Sequence, residues 1–462
     1  MNHPKGQPGQ VISLDITDLN HTGDGVGRFQ DWVVFVPDSV PGDRLQVKLT
    51  HFKTNYAQGQ ILQILEPSPQ RVRPACIVAD KCGGCQWQHL APALQRQTKQ
   101  EHLRSALGRI GKLENPQLQP LLSNQIDLGY RNKATYPLAR SQTGQVQAGY
   151  YRRQSHRLIN LNQCPVQDSR LDPLLKEIKA DIQLQGWSIY DESQKRGKLR
   201  HLSLRLGRRT GEILLTLVST QASLANLQAQ AEIWLGCYPQ LVGVTLNLQP
   251  QANNLIFGPE TRVVAGKGSC REIFAGLEFE LAADTFFQIN TEVAELLLEK
   301  ILAQLDCSGV KTVLDAYCGV GTFTLPLAQH LAHLNPQIMG IESHPRAVQQ
   351  AQNNARLNGL EHITFLEGTV ETLLPQLTTP PDLVWLDPPR KGVSPQVLNQ
   401  LLAWCPETIA YISCQPATLA RDLQILCAQG TYQPVWIQGA DFFPQTRHLE
   451  CAVILKAQSR DG

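Results

Sequence analysis

From about Cys270 to the end of the chain, short apolar runs alternate with segments of helical pattern. Four of the runs are followed by chemically active residues, namely Asp315, Glu342, Asp387 and Cys414. Regular alternation of this kind predicts a doubly wound α/β sheet that is largely parallel. Ligands of such sheets bind outside the carboxyl ends of the strands, so we expect these four residues to converge on one ligand site.

The rest of the chain has a different pattern. Five strand-like runs separated by Gly, Asp and Pro lie between Val11 and Glu66 and predict a small barrel of the oligonucleotide-binding type, within a domain over 1–70. Strand-like runs with basic turns predict a mostly β central domain over 71–270. A helix over about 91–124 is expected to pack on the α/β domain, which is predicted over 271–462.

Composition limits the class of protein. Of the 462 residues, 42% are apolar, which is enough for a large core, yet no apolar run reaches the roughly 18 residues of a membrane span. The polar start has no signal or transit pattern, so we expect a cytoplasmic protein without membrane contact. The chain has 42 basic and 40 acidic residues, but 91–210 has 21 and 9. This local excess favours a surface facing RNA or another polyanion, although a solvated basic face would give the same count.

The loop after the first α/β strand favours an adenosine cofactor. It contains Gly319 and Gly321, and Glu342 follows at the distance typical of an acidic residue that hydrogen-bonds ribose hydroxyls. A third glycine in a GxGxxG frame is missing, which disfavours a pyrophosphate cofactor. S-adenosylmethionine, a single adenosine with an amino-acid tail, fits better.

Two further residues suggest covalent chemistry. Cys414 ends a strand at the edge where a cofactor methyl group would be presented, and a thiolate can add to the electron-poor C6 of a pyrimidine. The adduct makes C5 nucleophilic toward a sulfonium methyl, after which a base must remove the C5 proton. Glu450, directly before the last apolar strand, is the candidate base. A buried structural cysteine and a surface carboxylate are the competing interpretations.

Four cysteines are candidate metal ligands. Cys76, Cys82 and Cys85 are crowded together, and Cys164 follows far downstream. Four thiolates suit a structural zinc or a [4Fe–4S] cluster, and only one CxxC pair is present where zinc ribbons usually have two. The spacing differs from the CxxxCxxC of radical S-adenosylmethionine enzymes.

Taken together, several stretches resemble the RNA (uracil-C5)-methyltransferases of the RlmD and TrmA group, and the resemblance covers nearly the whole chain. They are Asp284-Thr285-Phe286-Phe287-Gln288-Ile289-Asn290, Asp315 to Gly321, Asp387-Pro388-Pro389-Arg390-Lys391-Gly392, Ser413 to Asp422, and Asp441 to Glu450. The barrel resembles a TRAM domain, an RNA-binding module.

The resemblance implies roles for individual residues. Cys414 matches the family's nucleophile and Glu450 its proton acceptor. The cofactor contacts match at Gln288, Tyr317, Glu342 and Asp387. The cluster Cys76, Cys82, Cys85 and Cys164 is similar to that of the RlmD-like enzymes, which implies a [4Fe–4S] cluster with a structural or RNA-contacting role.

The resemblance also implies a substrate. The TRAM-like barrel and the cysteines favour the RlmD-like branch, and therefore C5 methylation of a uridine in 23S rRNA, over the tRNA-directed TrmA branch. Tyr130-Arg131-Asn132-Lys133 and Tyr150-Tyr151-Arg152-Arg153 are candidates for stacking on RNA bases. An exocyclic-amine methyltransferase using Asp387-Pro388-Pro389, a tRNA enzyme and a non-catalytic RNA-binding assembly factor stay open as alternatives. No obligate protein partner is evident.

Overall fold

A computed structural model describes residues 7–53 and 55–458. The outer ends of the predicted first and last domains, at 1 and 462, lie outside these residues. The described residues form two compact units. Unit 1 comprises residues up to 102 with 151–156 and 443–448, and unit 2 comprises 103–150, 157–442 and the residues from 449 on. Within the described ranges, no helix is long and apolar enough to cross a membrane.

The elements are numbered in chain order. The strands are β1 (Val11–Leu19), β2 (Gly25–Phe29), β3 (Trp32–Val36), β4 (Arg44–Phe52), β5 (Tyr56–Glu66), β6 (Leu118–Leu122), β7 (Lys133–Arg140), β8 (Val146–Tyr151), β9 (Leu158–Asn160), β10 (Leu199–Leu206), β11 (Ile213–Ser219), β12 (Leu241–Leu248), β13 (Glu260–Gly266), β14 (Ser269–Phe274), β15 (Leu277–Ala282), β16 (Thr312–Asp315), β17 (Gln337–Glu342), β18 (Thr364–Glu367), β19 (Leu383–Leu386), β20 (Thr408–Ser413), β21 (Tyr432–Ala440) and β22 (Glu450–Ala457). The α-helices are α1 (Pro92–Arg109), α2 (Asp172–Leu184), α3 (Leu227–Cys237), α4 (Thr291–Gln304), α5 (Thr324–His330), α6 (Pro345–Leu357), α7 (Val370–Leu373), α8 (Pro395–Trp404) and α9 (Pro416–Leu426).

The predicted barrel is confirmed in unit 1. Strands β1 to β5 close in the order β1-β2-β3-β5-β4, with β1 paired to β4. Along β1, Ile12, Leu14 and Ile16 are buried and alternate with exposed residues, as expected for a strand with one face toward the core. Gly59 leaves no room for a side chain, because a Cβ there would lie 2.3 Å from Cγ1 of Val47.

The predicted α/β sheet is confirmed in unit 2 as part of an eight-stranded sheet. Its order is β18-β17-β16-β19-β20-β22-β21-β6. The first five strands are parallel to one another, whereas β22 is antiparallel to both β20 and β21. Strand β19 is buried at all four residues, which is typical of a strand covered on both faces.

The mostly β character predicted for the central region is also seen in unit 2. A seven-stranded sheet has the order β13-β12-β11-β10-β7-β8-β9. Strands β14 and β15 form a separate hairpin, with Glu272 opposite Phe279. The division of the chain into three domains at 70 and 270 stays a prediction.

Helix α1 is shorter than the sequence suggested. It ends at Arg109, and Leu118–Leu122 is not helical but forms β6, which pairs with β21. Leu103 and Leu107 are fully buried in the core cluster of the eight-stranded sheet. Ile110 has the same helical spacing in the sequence, but it lies beyond the last helical residue and is 39% exposed.

Candidate active site

The strand register places the predicted residues at one edge of the sheet. Asp315 ends β16 and pairs with Gly340 on one side and with Trp385 on the other. Tyr317, Glu342 and Asp387 lie two residues beyond these three paired positions. Because parallel strands end at the same edge, the three residues lie at one level of the carboxyl edge.

The glycine loop is tied to the neighbouring strand. One carboxylate oxygen of Glu342 accepts hydrogen bonds from the backbone N–H of His344 at 2.7 Å, and the other from Gly319 at 3.2 Å. Gly319 has a φ of 55° and Gly321 one of 84°, conformations that favour glycine. A Cβ on Gly319 would meet no atom within 4 Å, so the loop borders open space at this point.

Two carboxyl groups at this edge are perturbed by their surroundings. Burial raises the pKa of Asp315 to about 7, although Thr324 donates a hydrogen bond to it at 2.6 Å. Burial, with the nearby charge of Asp315, also raises the pKa of Asp387 to about 7. A ligand with positive charge would favour the ionised forms of both groups. The edge therefore suits a cationic nucleotide such as S-adenosylmethionine.

Cys414 and Glu450 are brought together by an antiparallel strand pair. Strand β20 pairs with β22 from Thr408 opposite Lys456 to Ser413 opposite Cys451. The next pair in this register is Cys414 and Glu450. Directly opposed side chains of an antiparallel pair have Cβ atoms about 4.5–5.5 Å apart. The predicted nucleophile and the predicted base thus lie side by side.

The electrostatics of this pair involve Asp387 and Arg390. Burial, together with the charges of Glu450 and Asp387, raises the pKa of Cys414 to about 11, whereas the charge of Arg390 acts in the opposite direction. Burial and Asp387 also raise the pKa of Glu450 well above its usual value, and Arg390 again acts in the opposite direction. In this structure Arg390 is the cation that favours both a thiolate at residue 414 and a carboxylate at residue 450.

Gln288 precedes helix α4 in a loop held by strand residues of unit 2. It is buried, and its backbone carbonyl accepts a hydrogen bond from the side chain of Asn132 at 2.9 Å. Lys133 donates to the carbonyl of Ala283 at 3.0 Å in the same loop. The loop is therefore fixed, while the predicted contact of Gln288 with a cofactor stays a prediction.

Three of the four predicted metal-ligating cysteines lie in one loop of unit 1. Cys82 and Cys85 are buried, and Cys76 is half-buried. The Arg153 guanidinium donates hydrogen bonds to the carbonyls of Ala79, Cys82 and Cys85 at 3.1–3.2 Å. It also forms an ion pair with an aspartate of the barrel. The loop is thus held by one half-buried cation.

Cys164 lies in unit 2 and is buried. Its backbone N–H donates to Asp172 at 3.3 Å. Lys179 donates hydrogen bonds to Asn160, Leu161 and Asn162, which lie just before Cys164 in the chain. The cysteines have the donor chemistry of an iron–sulfur or zinc site, but no group of three or more ligating side chains is placed to hold a metal among the described residues. The [4Fe–4S] cluster therefore stays a prediction.

Part of the basic excess is internal. Tyr130 is fully buried and Asn132 is 4% exposed, and Lys133 lies over the ring of Phe257, its pKa lowered by burial. The interpretation of Tyr130 to Lys133 as an RNA-facing stretch is therefore wrong for these three residues, because they pack in unit 2 and hold the loop before α4. Arg152, in the second candidate stretch, is exposed, as a residue on an RNA-facing surface must be.

The sequence reasoning missed two functional features of the edge. No role for Arg390 follows from the sequence, and Asp315 is predicted at the ligand edge without a bonding partner. A signal for Arg390 was available, since the turn Asp387-Pro388-Pro389 ends β19 and leaves the next residue near the strand-end residues. The hydrogen bond from Thr324 to Asp315 cannot be predicted without the fold, because the two residues are nine positions apart in the chain.

Comparison with known proteins places this site in a family. Residues 274–458 match the model described as tRNA (Uracil-5-)-methyltransferase, and residues 5–62 match the TRAM domain. An uncharacterized RNA methyltransferase of Synechocystis is 59% identical over 98% of this chain and 97% of its own length. One from Bacillus cereus is 35% identical over 98% of both chains. The chain belongs to the uracil-5 RNA methyltransferase family.

A solved structure agrees with this assignment. The crystal structure of the Pyrococcus abyssi tRNA (uracil-54, C5)-methyltransferase in complex with S-adenosyl-L-homocysteine is similar with a TM-score of 0.76. It is 25% identical, and the match covers 96% of this chain and 99% of that one. The family and this neighbour support S-adenosylmethionine as the cofactor and RNA as the substrate. They also confirm the predicted methyltransferase fold and TRAM barrel.

The buried carboxyl groups give a testable pH dependence. The unfolded chain releases the Asp387 proton near pH 4, whereas the folded protein holds it to about pH 7. Between these values the folded wild type loses stability as the pH rises. Asp387→Asn should therefore be more stable, relative to wild type, at pH 8 than at pH 4, as measured by urea unfolding.

Asp382, at the other end of the same strand, is the matched control. Although partial burial raises the pKa of Asp382, hydrogen bonds from Lys311 and Thr312 hold it below its usual value. The folded pKa of this carboxylate lies below its unfolded value of about 4, so its stabilising effect is nearly complete at pH 4 and is lost only at lower pH. The stability deficit of Asp382→Asn should therefore be nearly constant from pH 4 to pH 8. The same pH trend in both variants would contradict the assignment of Asp387 as a buried, raised group.

Proposed function

We propose that this protein methylates C5 of a uridine in RNA, using S-adenosylmethionine, with Cys414 as the nucleophile and Glu450 as the base. The observation that carries the proposal is the strand register that makes these two residues neighbours at the edge of the sheet. The nucleophile must reach C6 and the base must reach the proton on C5, so the two side chains must lie close together. Adjacent strands place them at such a distance.

The chain's own residues account for each step. The thiolate of Cys414 forms a bond to C6 of the uracil, and the electron pair of the C5–C6 double bond makes C5 nucleophilic. C5 then forms a bond to the electrophilic methyl group that bound S-adenosylmethionine would supply on its sulfonium, and the sulfur–methyl bond breaks to leave S-adenosylhomocysteine. Glu450 then takes the C5 proton, the double bond re-forms, and the bond from C6 to Cys414 breaks to release the thiolate. The target base must leave its stack to reach the two residues.

The cofactor residues follow from the edge geometry. Glu342 has carboxylate oxygens beside the glycine loop, where they can accept hydrogen bonds from ribose hydroxyls. Tyr317 and Asp387 lie at the same level, and Asp387 can interact with the cation. Gln288 is assigned to the cofactor by its match to the family motif.

Activation of the nucleophile requires a positive charge. With the pKa of Cys414 raised to about 11, the thiol of the free protein is almost fully protonated at pH 7. A sulfonium bound beside Asp387 would favour both the thiolate and the carboxylate of Glu450. The site is therefore ready for chemistry after the methyl donor binds.

The substrate is proposed to be 23S rRNA, with tRNA as the alternative. The cysteine cluster and the TRAM-like barrel were the reasons for favouring rRNA. The match to the Pyrococcus abyssi tRNA enzyme covers 96% of this chain, so it must include residues of the barrel. A barrel is therefore compatible with a tRNA substrate, and the choice of rRNA depends on the cysteines and their resemblance to the RlmD-like branch.

A methyl-transfer assay tests the proposal and the substrate together. Purified protein is incubated with methyl-labelled S-adenosylmethionine and either unmodified 23S rRNA or tRNA, and the product is located by nuclease mapping and mass spectrometry. We expect 5-methyluridine in 23S rRNA. The same product in tRNA alone would overturn the rRNA assignment, and methyladenosine or methylcytidine would instead support an exocyclic-amine methyltransferase. Binding of RNA without methyl transfer would favour an assembly factor.

Two substitutions separate the roles of the paired residues. Cys414→Ala should reduce methylation by at least about 10⁴-fold because no adduct can form, while S-adenosylmethionine still binds. Glu450→Gln should retain adduct formation but block its resolution, so a methylated covalent RNA–protein complex should accumulate on a denaturing gel. Cys451→Ala, at the neighbouring position of β22, is the control and should show no adduct. Turnover by Cys414→Ala, or the absence of any adduct with Glu450→Gln, would contradict these assignments.

The four cysteines are proposed to hold a [4Fe–4S] cluster with a structural or RNA-contacting role. We place the protein in the reducing cytoplasm, where a cysteine cluster holds a metal or an iron–sulfur group more often than disulfides. Thiolates are the donors that such clusters use, and the backbone N–H of Gly84 donates to the sulfur of Cys82 at 3.4 Å. No step of methyl transfer is assigned to the cluster.

Iron and acid-labile sulfide analysis tests the cluster. Protein purified without oxygen should contain about four iron and four sulfide per chain, with a broad visible absorption that Cys82→Ser and Cys164→Ser each abolish. Cys237→Ser, at an exposed cysteine, is the control and should leave the spectrum unchanged. Stoichiometric zinc would overturn the iron–sulfur assignment, and metal-free wild type would overturn both.

A further inference from the structure

The loop that carries Arg390 is fastened to the helix that follows Cys414. Helix α9 begins at Pro416, two residues after the proposed nucleophile. From this helix, Thr418 donates a hydrogen bond to the carbonyl of Arg390 at 3.3 Å. Arg421 donates to the carbonyls of Lys391 at 3.0 Å and Val393 at 3.3 Å. Three of the four loop residues from Arg390 to Val393 are thus bonded to one helix.

Asp422 completes this attachment from inside the core. Its side chain is fully buried and pairs with Arg421 at 2.6 Å. One of its oxygens accepts hydrogen bonds from the backbone N–H of Val393 at 2.9 Å and from the hydroxyl of Tyr411 at 2.6 Å. Because Tyr411 lies on β20, the strand that ends just before Cys414, the carboxylate links the loop, the helix and the nucleophile's strand.

The loop lies too close to this pair to accept a side chain at Gly392. A Cβ there would lie 2.6 Å from Oδ2 of Asp422 and 2.7 Å from Nη2 of Arg421. Gly392 also has a φ of 76°, a conformation that other residues rarely adopt. The close approach shows that the loop and the ion pair fit each other tightly at this point.

From these contacts we infer that Arg421 and Asp422 are positioning residues for methyl transfer, which with Thr418 fix the Arg390–Val393 loop and thereby hold Arg390 beside the strand end that carries Cys414. The inference depends on the proposed function for its consequence in catalysis, and its geometric part can be tested without it. The exposed side chain of Arg390 is long and flexible, so its charge acts on a fixed point only if its backbone is held.

The physical consequence is specific to the reacting groups. Arg390 is the cation that opposes the effect of burial on both Cys414 and Glu450. When the loop is released, that charge is spread over a larger volume and screened by water, so the thiolate and the carboxylate are both less favoured. Loss of the attachment should therefore change the pH at which the nucleophile ionises and not only the stability of the fold.

The experiment compares wild type with Thr418→Val, Arg421→Gln and Gly392→Ala. Each variant weakens the attachment at a different point. Thr418→Val removes only an exposed hydroxyl that donates to the carbonyls of Arg390 and Gln415, so it should fold even if the other two do not. The first measurement is the pH dependence of Cys414 alkylation by iodoacetamide, followed on its peptide by mass spectrometry. The midpoint should move to higher pH in every folded variant.

The second measurement is kcat for methyl transfer as a function of pH. It should fall by roughly 10–100-fold at pH 7 in Arg421→Gln, with partial recovery at higher pH. Arg271→Gln is the matched control, since Arg271 is 46% exposed and pairs with Glu212, as Arg421 is 45% exposed and pairs with Asp422. It should leave both the alkylation midpoint and kcat within about twofold of wild type.

The two readouts separate failure of the inference from failure of the proposed function. Folded variants with an unchanged alkylation midpoint would overturn the inference, even if their activity falls. A wild type that alkylates normally but makes no 5-methyluridine in any RNA would overturn the proposed function, while a displaced midpoint in the variants would still support the positioning of Arg390. An Arg271→Gln midpoint that moves as far as that of Arg421→Gln would also overturn the inference.

Discussion

The pairing of β22 with β20 is the interaction on which the proposed chemistry depends. In a purely parallel sheet, the ligand edge receives residues only from the ends of strands and the loops that follow them. Because β22 is antiparallel, it begins at this edge, so Glu450 enters the site at the first residue of its strand. A register shift of one residue would turn Glu450 to the opposite face of the sheet. The position of the base is therefore fixed by the same hydrogen bonds that build the core.

Those hydrogen bonds are reinforced on both sides of β22. The strand is paired over its full length with β21 as well, where Glu450 lies opposite Ala440. The thiol of Cys451 donates to the carbonyl of Ser413 at 3.3 Å, directly beside the reacting pair. The residues from Cys451 to Leu455 are fully or almost fully buried. A central, doubly paired and buried strand offers little freedom to its first residue, which suits a base that must reach one hydrogen atom.

The sequence predicted those parts of the fold and site that depend on local pattern. The apolar runs of the α/β region and the polar residues that follow them were sufficient to place Asp315, Glu342, Asp387 and Cys414 at one edge. Strand β21 was missed, since its run from Tyr432 is interrupted by Pro434, and β6 was assigned to a helix. Both are edge or near-edge strands whose place is decided by pairing with distant residues. Local propensity carries no information on such partners.

Charge was harder to predict than hydrophobicity for a physical reason. A count of Lys and Arg cannot distinguish a cation in water from one that holds backbone carbonyls, because a long side chain can bury its stem and satisfy its head group internally. Lys133 and Arg153 have this internal role, while Arg390 acts on the two reacting residues. Burial disfavours the anionic forms of Asp387, Cys414 and Glu450, and the charge of Arg390 acts against this effect at Cys414 and Glu450. The location of Arg390 therefore matters more for this chemistry than the net charge of the chain.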